Sequence, residues 1–195
     1  MKVKHICIIL ISVVVLVSAA VGLLCLHNWW HSPGVHVLGN RAYIDIKESA
    51  YLIDEYTGQI IGETSVILIG QAENGDKGTY GGTFDGYIHV EGYQIPYTQI
   101  HSPEPYAKIE KPYIDISYSS GYRVMTGGEA VPQKGEYDYD VYINTRQPES
   151  VIVHIKGNET GERVYAVCAS SEENAVNWLN EYNKERYGEG YPTVG

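Results

Sequence analysis

The sequence is poor in cysteine, and this shortage limits how the protein can be stabilised. Of its three cysteines, Cys7 and Cys25 lie in one apolar run near the N-terminus, so only Cys168 follows that run. No disulfide can therefore form within the rest of the chain, whose stability must come from an ordinary hydrophobic core. Secreted animal domains commonly carry disulfides, so the shortage favours a bacterial cell envelope.

Basic residues are scarce as well. The sequence has 14 Lys and Arg against 24 Asp and Glu, and Lys2 and Lys4 precede the apolar run whereas every acidic residue follows it. The part after the run thus carries 12 basic against 24 acidic residues, a net charge of −12. Such a domain repels polyanions, so we expect no nucleic-acid partner.

The motifs of common enzymes are also missing from the sequence. There is no Gly-x-Ser-x-Gly nucleophile elbow, no His-Glu-x-x-His zinc motif, no Cys-x-x-Cys pair, no phosphate-binding loop and no dinucleotide fingerprint. We therefore predict no catalytic residue, no cofactor and no metal site, and we do not expect an enzyme.

Two groups of residues have side chains that can bind a metal ion, but their spacing in the sequence is weak evidence for a metal site. His27 and His31 would share a helix face with His36 nearby, but histidine and tryptophan beside an apolar run are typical of a membrane interface. Asp138 and Asp140 project from one face of a predicted strand about 7 Å apart. They can hold Ca²⁺ or act as a carboxylate pair, although a solvated sheet face is the simpler interpretation.

A long apolar run extends from Ile6 to Leu26 (ICIILISVVVLVSAAVGLLCL). As a helix it spans about 30 Å, the thickness of the hydrocarbon core of a bilayer. Trp29 and Trp30 fit an interfacial aromatic belt. Lys2 and Lys4 precede the run and no Lys or Arg follows before Arg41, which favours a cytoplasmic N-terminus. We predict a retained signal-anchor helix over 6–26 after a cytoplasmic tail at 1–5.

A cleavable signal peptide is the alternative interpretation of this run. Small residues within 17–20 and 20–22 offer cleavage sites, but the apolar sequence continues past both of them. Leu23 and Leu24 before Cys25 do not fit a lipoprotein. If the run is cleaved, the protein is secreted; if it is retained, the protein is a single-pass protein of the cell membrane.

After a linker predicted at 27–40, the pattern is that of successive short strands. Apolar and polar residues alternate, which is typical of antiparallel strands with one buried face. Hairpin turns are predicted at 54–58 and 91–92, and the segment 72–78 is interpreted as a further turn. The expected fold is mainly β: an antiparallel sandwich or barrel-like extracytoplasmic domain over 41–195, with one C-terminal α-helix.

The clearest predicted hairpin spans 151–168, with its turn at 157–161. Pairing Lys156 with Glu162 gives one mostly apolar face and a salt pair at the rim. In that register His154 and Cys168 lie about 13 Å apart. We therefore predict that they form no catalytic pair and that Cys168 has a structural role.

One helix is predicted, over 171–187. Ser170 is the expected N-cap, Glu173 would close a capping box, and Gly188 would end the helix. The apolar stripe has the spacing i, i+3, i+4 and i+7 and consists of Ala175, Trp178, Leu179 and Tyr182. We expect it to bury Trp178 and Leu179 against the sheet; a partner-binding face is the alternative.

Tyrosine is abundant, with 18 residues against one phenylalanine. So many tyrosines cannot all be core residues, and tyrosine favours places with one apolar and one wet side. The tyrosines that support this argument are Tyr80, Tyr87, Tyr93, Tyr97, Tyr106, Tyr113 and Tyr118. Exposed tyrosine on a rigid β scaffold suits stacking on sugars or contact with proteins.

These features together predict a membrane-anchored extracytoplasmic binding or interaction module for a glycan or protein ligand. One alternative is an accessory or regulatory subunit of an envelope complex, since Ser18, Ala19 and Gly22 permit close helix packing. The other is an envelope hydrolase that uses carboxylates. An exposed aromatic patch favours a binding module, whereas a cleft with converging carboxylates, one of raised pKa, favours the hydrolase.

Overall fold

The computed structural model describes residues 2–30, 32–75, 82–93, 106–110, 112–118, 122–126, 129–133, 137–147 and 149–188. The chain divides into two compact units, Met1–Pro33 and Gly34–Gly195. The first unit is dominated by one helix, and the second is mainly β.

Helix α1, Lys2–Trp30, makes up most of the first unit. Its segment Ile11–Trp30 has a mean hydropathy of 2.1 and buries 0% of its residues within the protein. The helix continues past the predicted end at Leu26 and includes both tryptophans. By length and composition it is apolar enough to cross a membrane.

The second unit consists of strands followed by a second helix. The strands are β1 (Gly34–Leu38), β2 (Arg41–Asp54), β3 (Ile60–Glu73), β4 (Gly82–Val90), β5 (Tyr106–Glu110), β6 (Tyr113–Tyr118), β7 (Tyr122–Thr126), β8 (Glu129–Gln133), β9 (Tyr137–Asn144), β10 (Val151–Gly157) and β11 (Arg163–Cys168). The helix is α2 (Glu172–Tyr187). A mainly antiparallel β unit with a C-terminal helix is thus confirmed.

Nine strands form one sheet in the order β1-β2-β11-β10-β9-β6-β5-β4-β3, and β2 also pairs with β3. All described pairings are antiparallel, and β7 and β8 form a separate hairpin. β2 pairs with β3 along its whole length, while β1 and then β11 pair with successive parts of β2. The strand pairings therefore form a cycle that starts at β2 and returns to it.

The larger cluster of buried side chains comes from one face of the strands in this cycle. In β6 the buried residues are Ile114 and Ile116, and in β9 they are Tyr139, Val141 and Ile143, each at most 2% exposed. The alternation of apolar and polar residues predicted for antiparallel strands with one buried face is thus seen in β6 and β9. Burial of each such side chain contributes roughly 1.5–3 kcal/mol.

Helix α2 covers the opposite face of β10 and β11. Ile152, Tyr165 and Val167 pack there with Leu179 and Tyr182 of the helix in a second buried cluster. The apolar stripe of α2 is therefore a core face, as predicted. Leu179 is fully buried, whereas Trp178 is only partly buried at the edge of the cluster.

The predicted register of the β10–β11 hairpin is wrong by one residue. Lys156 pairs with Arg163 and not with Glu162. Alternation could not determine this register, because both faces of the two strands are buried and a slip only exchanges one apolar face for the other. The turn determines the register, because the N–H of Gly157 donates to the Glu162 carbonyl at 2.7 Å. This hydrogen bond leaves a loop of 158–161, shorter than the predicted turn at 157–161.

Helix α2 begins one residue later than predicted. Ser171, and not Ser170, is the N-cap, and its Oγ accepts a hydrogen bond from the Asn174 N–H at 3.3 Å. Asn174 instead of Glu173 then occupies the third helical position, so the predicted capping box does not form. The predicted end at Gly188 is confirmed, with a φ of 89°.

The segment predicted as a linker, 27–40, contains regular structure. Helix α1 runs to Trp30, and β1 pairs with β2, so the β unit begins at Gly34. The turns at 54–58 and 91–92 are confirmed, and Gly58 and Gly92 both have positive φ. The segment 72–78 begins at the end of β3 and extends outside the described residues.

Two facing glycines make room for the single phenylalanine of the chain. Gly70 of β3 pairs with Gly86 of β4, and the buried ring of Phe84 lies against both. A Cβ on Gly86 would lie 2.5 Å from Phe84 Cζ and would also contact the carbonyl oxygen of Ile69. Only glycine permits this close approach.

We expect Gly86→Ala to lower the free energy of unfolding by about 1–3 kcal/mol, because the added methyl overlaps the ring and the backbone. Gly62→Ala in β3 is the matched control, since the nearest atom to its Cβ is 4.0 Å away. Denaturant unfolding of the detergent-solubilised chain measures the difference. Equal stability of the two variants would contradict the proposed crowding.

Candidate functional site

A groove lies between helix α2 and the sheet face that it covers. It is shallow, and its empty space of about 320 Å³ includes open solvent. We call it the aromatic groove and define it by four aromatic side chains and two carboxylates: Tyr113, Tyr142, Trp178, Tyr182, Glu181 and Glu185.

Helix and strand periodicity bring these side chains together. The helical members follow the spacing i, i+3, i+4 and i+7, which places them on one side of α2. Tyr142 projects from the face of β9 opposite to Val141 and Ile143. The register of β6 with β9 puts Tyr113 opposite Asn144, so it is a diagonal neighbour of Tyr142.

The rings pack against one another but leave part of their surface open. Tyr113 and Tyr142 stack with their centroids 4.9 Å apart and an interplanar angle of 26°. Tyr182 meets Tyr142 edge to face at 4.5 Å. Tyr113, Tyr142 and Trp178 are half-buried, while Tyr182 is 4% exposed. The groove is thus an aromatic surface that is partly accessible from solvent.

Tyrosine hydroxyls hold one of the two carboxylates in place. The Tyr142 hydroxyl donates to Glu185 Oε2 at 3.2 Å. Burial, followed by the neighbouring Tyr113 and Glu185, raises the pKa of Tyr142, and a hydrogen bond to Glu185 raises the pKa of Tyr113. Both phenols therefore remain protonated at neutral pH, and the Glu185 carboxylate is held at the hydroxyl end of the Tyr142 ring.

A set of ion pairs lies beside the groove on the same sheet face. Asp140 Oδ2 is 2.5 Å from Lys156 Nζ, and Asp115 Oδ1 is 3.4 Å from Arg186 Nη1. Burial raises the pKa of Asp115, with Arg186 acting against it. Burial alone would also raise the pKa of Asp140, but hydrogen bonds from Lys156 and Ser117 together lower it.

The two aspartates predicted as a pair have different partners. Asp140 binds Lys156, while Asp138 accepts a hydrogen bond from Asn158 Nδ2 at 3.2 Å. Within the described parts of the chain, no group of three or more His, Cys, Asp and Glu residues has the geometry to hold a metal ion. His31, a member of the histidine group considered above, lies outside the described residues.

His154 is buried next to the turn between β2 and β3. Its Nε2 lies 3.1 Å from Glu55 Oε2, and its ring stacks on Tyr165 with centroids 4.4 Å apart. Arg163 Nη1 is 3.7 Å from the same carboxylate oxygen. Burial lowers the pKa of His154 more than the charge and hydrogen bond of Glu55 raise it.

Cys168 and His154 face opposite sides of the sheet. Cys168 belongs to the larger buried cluster, whereas His154 pairs with Tyr165 on the face toward α2. Burial raises the pKa of the Cys168 thiol to about 12. A neutral, enclosed thiol is a poor nucleophile, which agrees with the structural role predicted from the sequence.

The tyrosines singled out in the sequence fall into different environments. Tyr113 and Tyr87 are half-buried, while Tyr93 is 9% exposed and its hydroxyl donates to Glu162 Oε1 at 3.0 Å. Tyr80 and Tyr97 lie outside the described residues, as do the side chains of Tyr106 and Tyr118. Of the three tyrosines of this group whose side chains the structure describes, Tyr113 lines the aromatic groove.

The two glutamates of the groove were missed by sequence analysis. Their signal was present, because Glu181 and Glu185 stand three and seven residues after Trp178, beside the apolar stripe. Their association with Tyr113 and Tyr142 depends on strand order, which the sequence pattern does not contain.

Comparison with protein-family models, with curated proteins and with solved structures finds no match to this chain.

Acidification should destabilise the protein through His154. Its pKa is lowered from 6.5 in the folded state, so the unfolded state takes up the proton first. The stability contributed by neutral His154 is complete above about pH 6.5 and is lost as the pH falls through the lower, folded-state pKa. Asp140, whose pKa is lowered from 3.8, titrates below this window.

We expect His154→Gln, which can still donate to Glu55, to lose less stability than wild type between about pH 7 and pH 5. Urea unfolding of the solubilised chain at a series of pH values measures both slopes. Parallel loss of stability in wild type and variant would show that His154 does not carry the pH dependence.

Proposed function

We propose that this chain is a single-pass membrane protein whose β unit is an extracytoplasmic binding module, with the aromatic groove as its binding site. The observation that carries the proposal is the groove itself, in which half-buried aromatic rings surround a pocket open to solvent. Aromatic side chains offer large contact area at little conformational cost and are enriched in binding sites. The ligand class is a glycan or a protein.

The strand pairings support a rigid scaffold for this site. We infer a closed, barrel-like arrangement from the cycle that leaves and returns to β2. Its interior positions are occupied by the side chains of the larger buried cluster, as in small barrels whose lumen is filled. Binding is therefore assigned to the outer face, where α2 and the sheet form the groove.

The proposed topology follows from helix α1. Lys2 and Lys4 lie at the start of this helix, and no Lys or Arg follows its apolar segment before Arg41; this favours a cytoplasmic N-terminus and an extracytoplasmic β unit in the cell membrane.

The carboxylate-hydrolase alternative has less support. Asp115, whose pKa is raised by burial, is paired with Arg186 and does not line the groove. The two carboxylates that do line it, Glu181 and Glu185, are exposed at its rim.

The anchor is expected to remain on the mature protein. Intact-mass analysis of protein extracted from membranes should give a chain that still contains the whole of α1, because the apolar run continues past its small residues. A mature chain that begins between Ala19 and Leu23 would mean that the protein is secreted.

We expect Tyr142→Ala and Trp178→Ala to weaken ligand binding at least tenfold, because each removes a wall of the groove. The full-length chain in detergent is applied to arrays of peptides and glycans, and the affinity for each captured ligand is then measured for every variant. Tyr56→Ala is the matched control, since Tyr56 is 72% exposed and does not line the groove. Near-ultraviolet circular dichroism checks that the variants are folded.

A ligand that binds wild type, Tyr142→Ala and Trp178→Ala equally would exclude the groove as its site. Failure of every folded form to capture a peptide or glycan would contradict the binding function itself.

A further inference from the structure

The charge of the aromatic groove is negative. Glu181 and Glu185 are exposed at its rim, and no Lys, Arg or His is found among the described residues that line it. Arg146, whose charge acts on the Tyr113 hydroxyl, is exposed and is not a lining residue. The acidic excess of the chain adds a long-range attraction for cations.

The rings and the carboxylate of the groove form one constellation. Tyr142 is stacked on Tyr113 and donates its hydroxyl to Glu185, so the carboxylate is fixed beside two ring systems. The faces of aromatic rings are negative, and they attract cations placed within about 6 Å of their centroids. Rings and carboxylate thus favour the same kind of ligand.

The chain contains an occupied example of the same constellation next to the groove. The guanidinium carbon of Arg186 lies 5.7 Å from the centroid of the Tyr182 ring, and its Nη1 is 3.4 Å from Asp115. A guanidinium is therefore held between the ring of Tyr182 in α2, itself one of the four rings of the groove, and the carboxylate of Asp115 in the sheet. The groove presents rings and carboxylates of the same kinds, with no cation of the described chain among its lining residues.

The dimensions of the groove also bear on its occupant. The empty space of about 320 Å³ includes open solvent, so the groove is a shallow surface site and not an enclosed small-molecule pocket. It accommodates one side chain better than an extended oligosaccharide. Arginine fits better than lysine, because its planar guanidinium stacks on rings and is more weakly hydrated.

We propose, on the basis of the binding function assigned above to the aromatic groove, that the groove accepts an arginine side chain of a partner protein. The guanidinium stacks against the Tyr113–Tyr142 pair and forms an ion pair with Glu185, and Glu181 adds a second negative charge at the rim. The partner is thus a polypeptide with an exposed arginine, and the ligand is not a neutral glycan.

The test uses Trp178 as a reporter inside the groove. Trp29→Phe and Trp30→Phe leave Trp178 as the one tryptophan of the chain. The full-length protein is kept in a polyoxyethylene detergent, whose headgroups carry neither sugar nor charge. Trp178 fluorescence is followed during titration with methylguanidinium, with its neutral isostere N-methylurea and with N-acetylglucosamine. We expect a saturable change with methylguanidinium alone.

The charge dependence is tested with Glu181→Gln and Glu185→Gln combined, which keeps the shape of the groove. We expect methylguanidinium to bind about tenfold more weakly to this double variant. Glu63→Gln and Glu159→Gln combined remove the same charge at exposed positions outside the groove and should leave binding within about twofold of wild type.

Each outcome distinguishes this proposal from the binding function on which it rests. Saturable binding of N-acetylglucosamine without binding of methylguanidinium would overturn the arginine proposal and keep the groove as a binding site. Equal weakening by both double variants would also overturn it, because the effect would then come from net charge alone. If none of the three probes binds and the arrays capture nothing, both proposals are wrong.

Discussion

Strand β2 is paired with neighbours on both sides, and the positions of the other elements depend on that double pairing. Because β3 pairs with its whole length and β11 with its second half, the strand pairings form a cycle, and the larger buried cluster comes from one face of its strands. The opposite face of β10 and β11 is then left for α2 to cover. The aromatic groove lies at the edge of the region that α2 covers, beside the start of β6 and the end of β9.

Two ion pairs on the sheet face toward α2 join neighbouring elements but contribute little to stability. Arg186 joins the last turn of α2 to Asp115 of β6, and Lys156 of β10 contacts Asp140 of β9. Such partly exposed pairs typically contribute less than about 1 kcal/mol each. The Arg186–Asp115 pair also joins the end of α2 to the strand that carries Tyr113.

The number of buried faces of a strand decides whether its buried residues and its register can be predicted from the sequence. For β6 and β9 one face is apolar, so alternation identified the buried residues correctly. For β10 and β11 both faces are apolar, and the register then depended on turn hydrogen bonds that hydrophobic pattern does not encode. Two adjacent serines similarly made the N-cap ambiguous by one residue.

The groove was harder to predict than the fold. Trp178 was interpreted as a core residue, because an apolar stripe does not show which of its members lies at the edge of the packed face. Tyr113 and Tyr142 come from separate strands that are adjacent only because β7 and β8 form a hairpin outside the main sheet. Cys168 pairs with Ala50 where β11 meets β2, one of the two pairings that β2 makes within the strand cycle. A thiol reagent can reach this enclosed sulfur only when the strands separate. The rate of Cys168 alkylation therefore measures how often that junction opens in the unaltered protein.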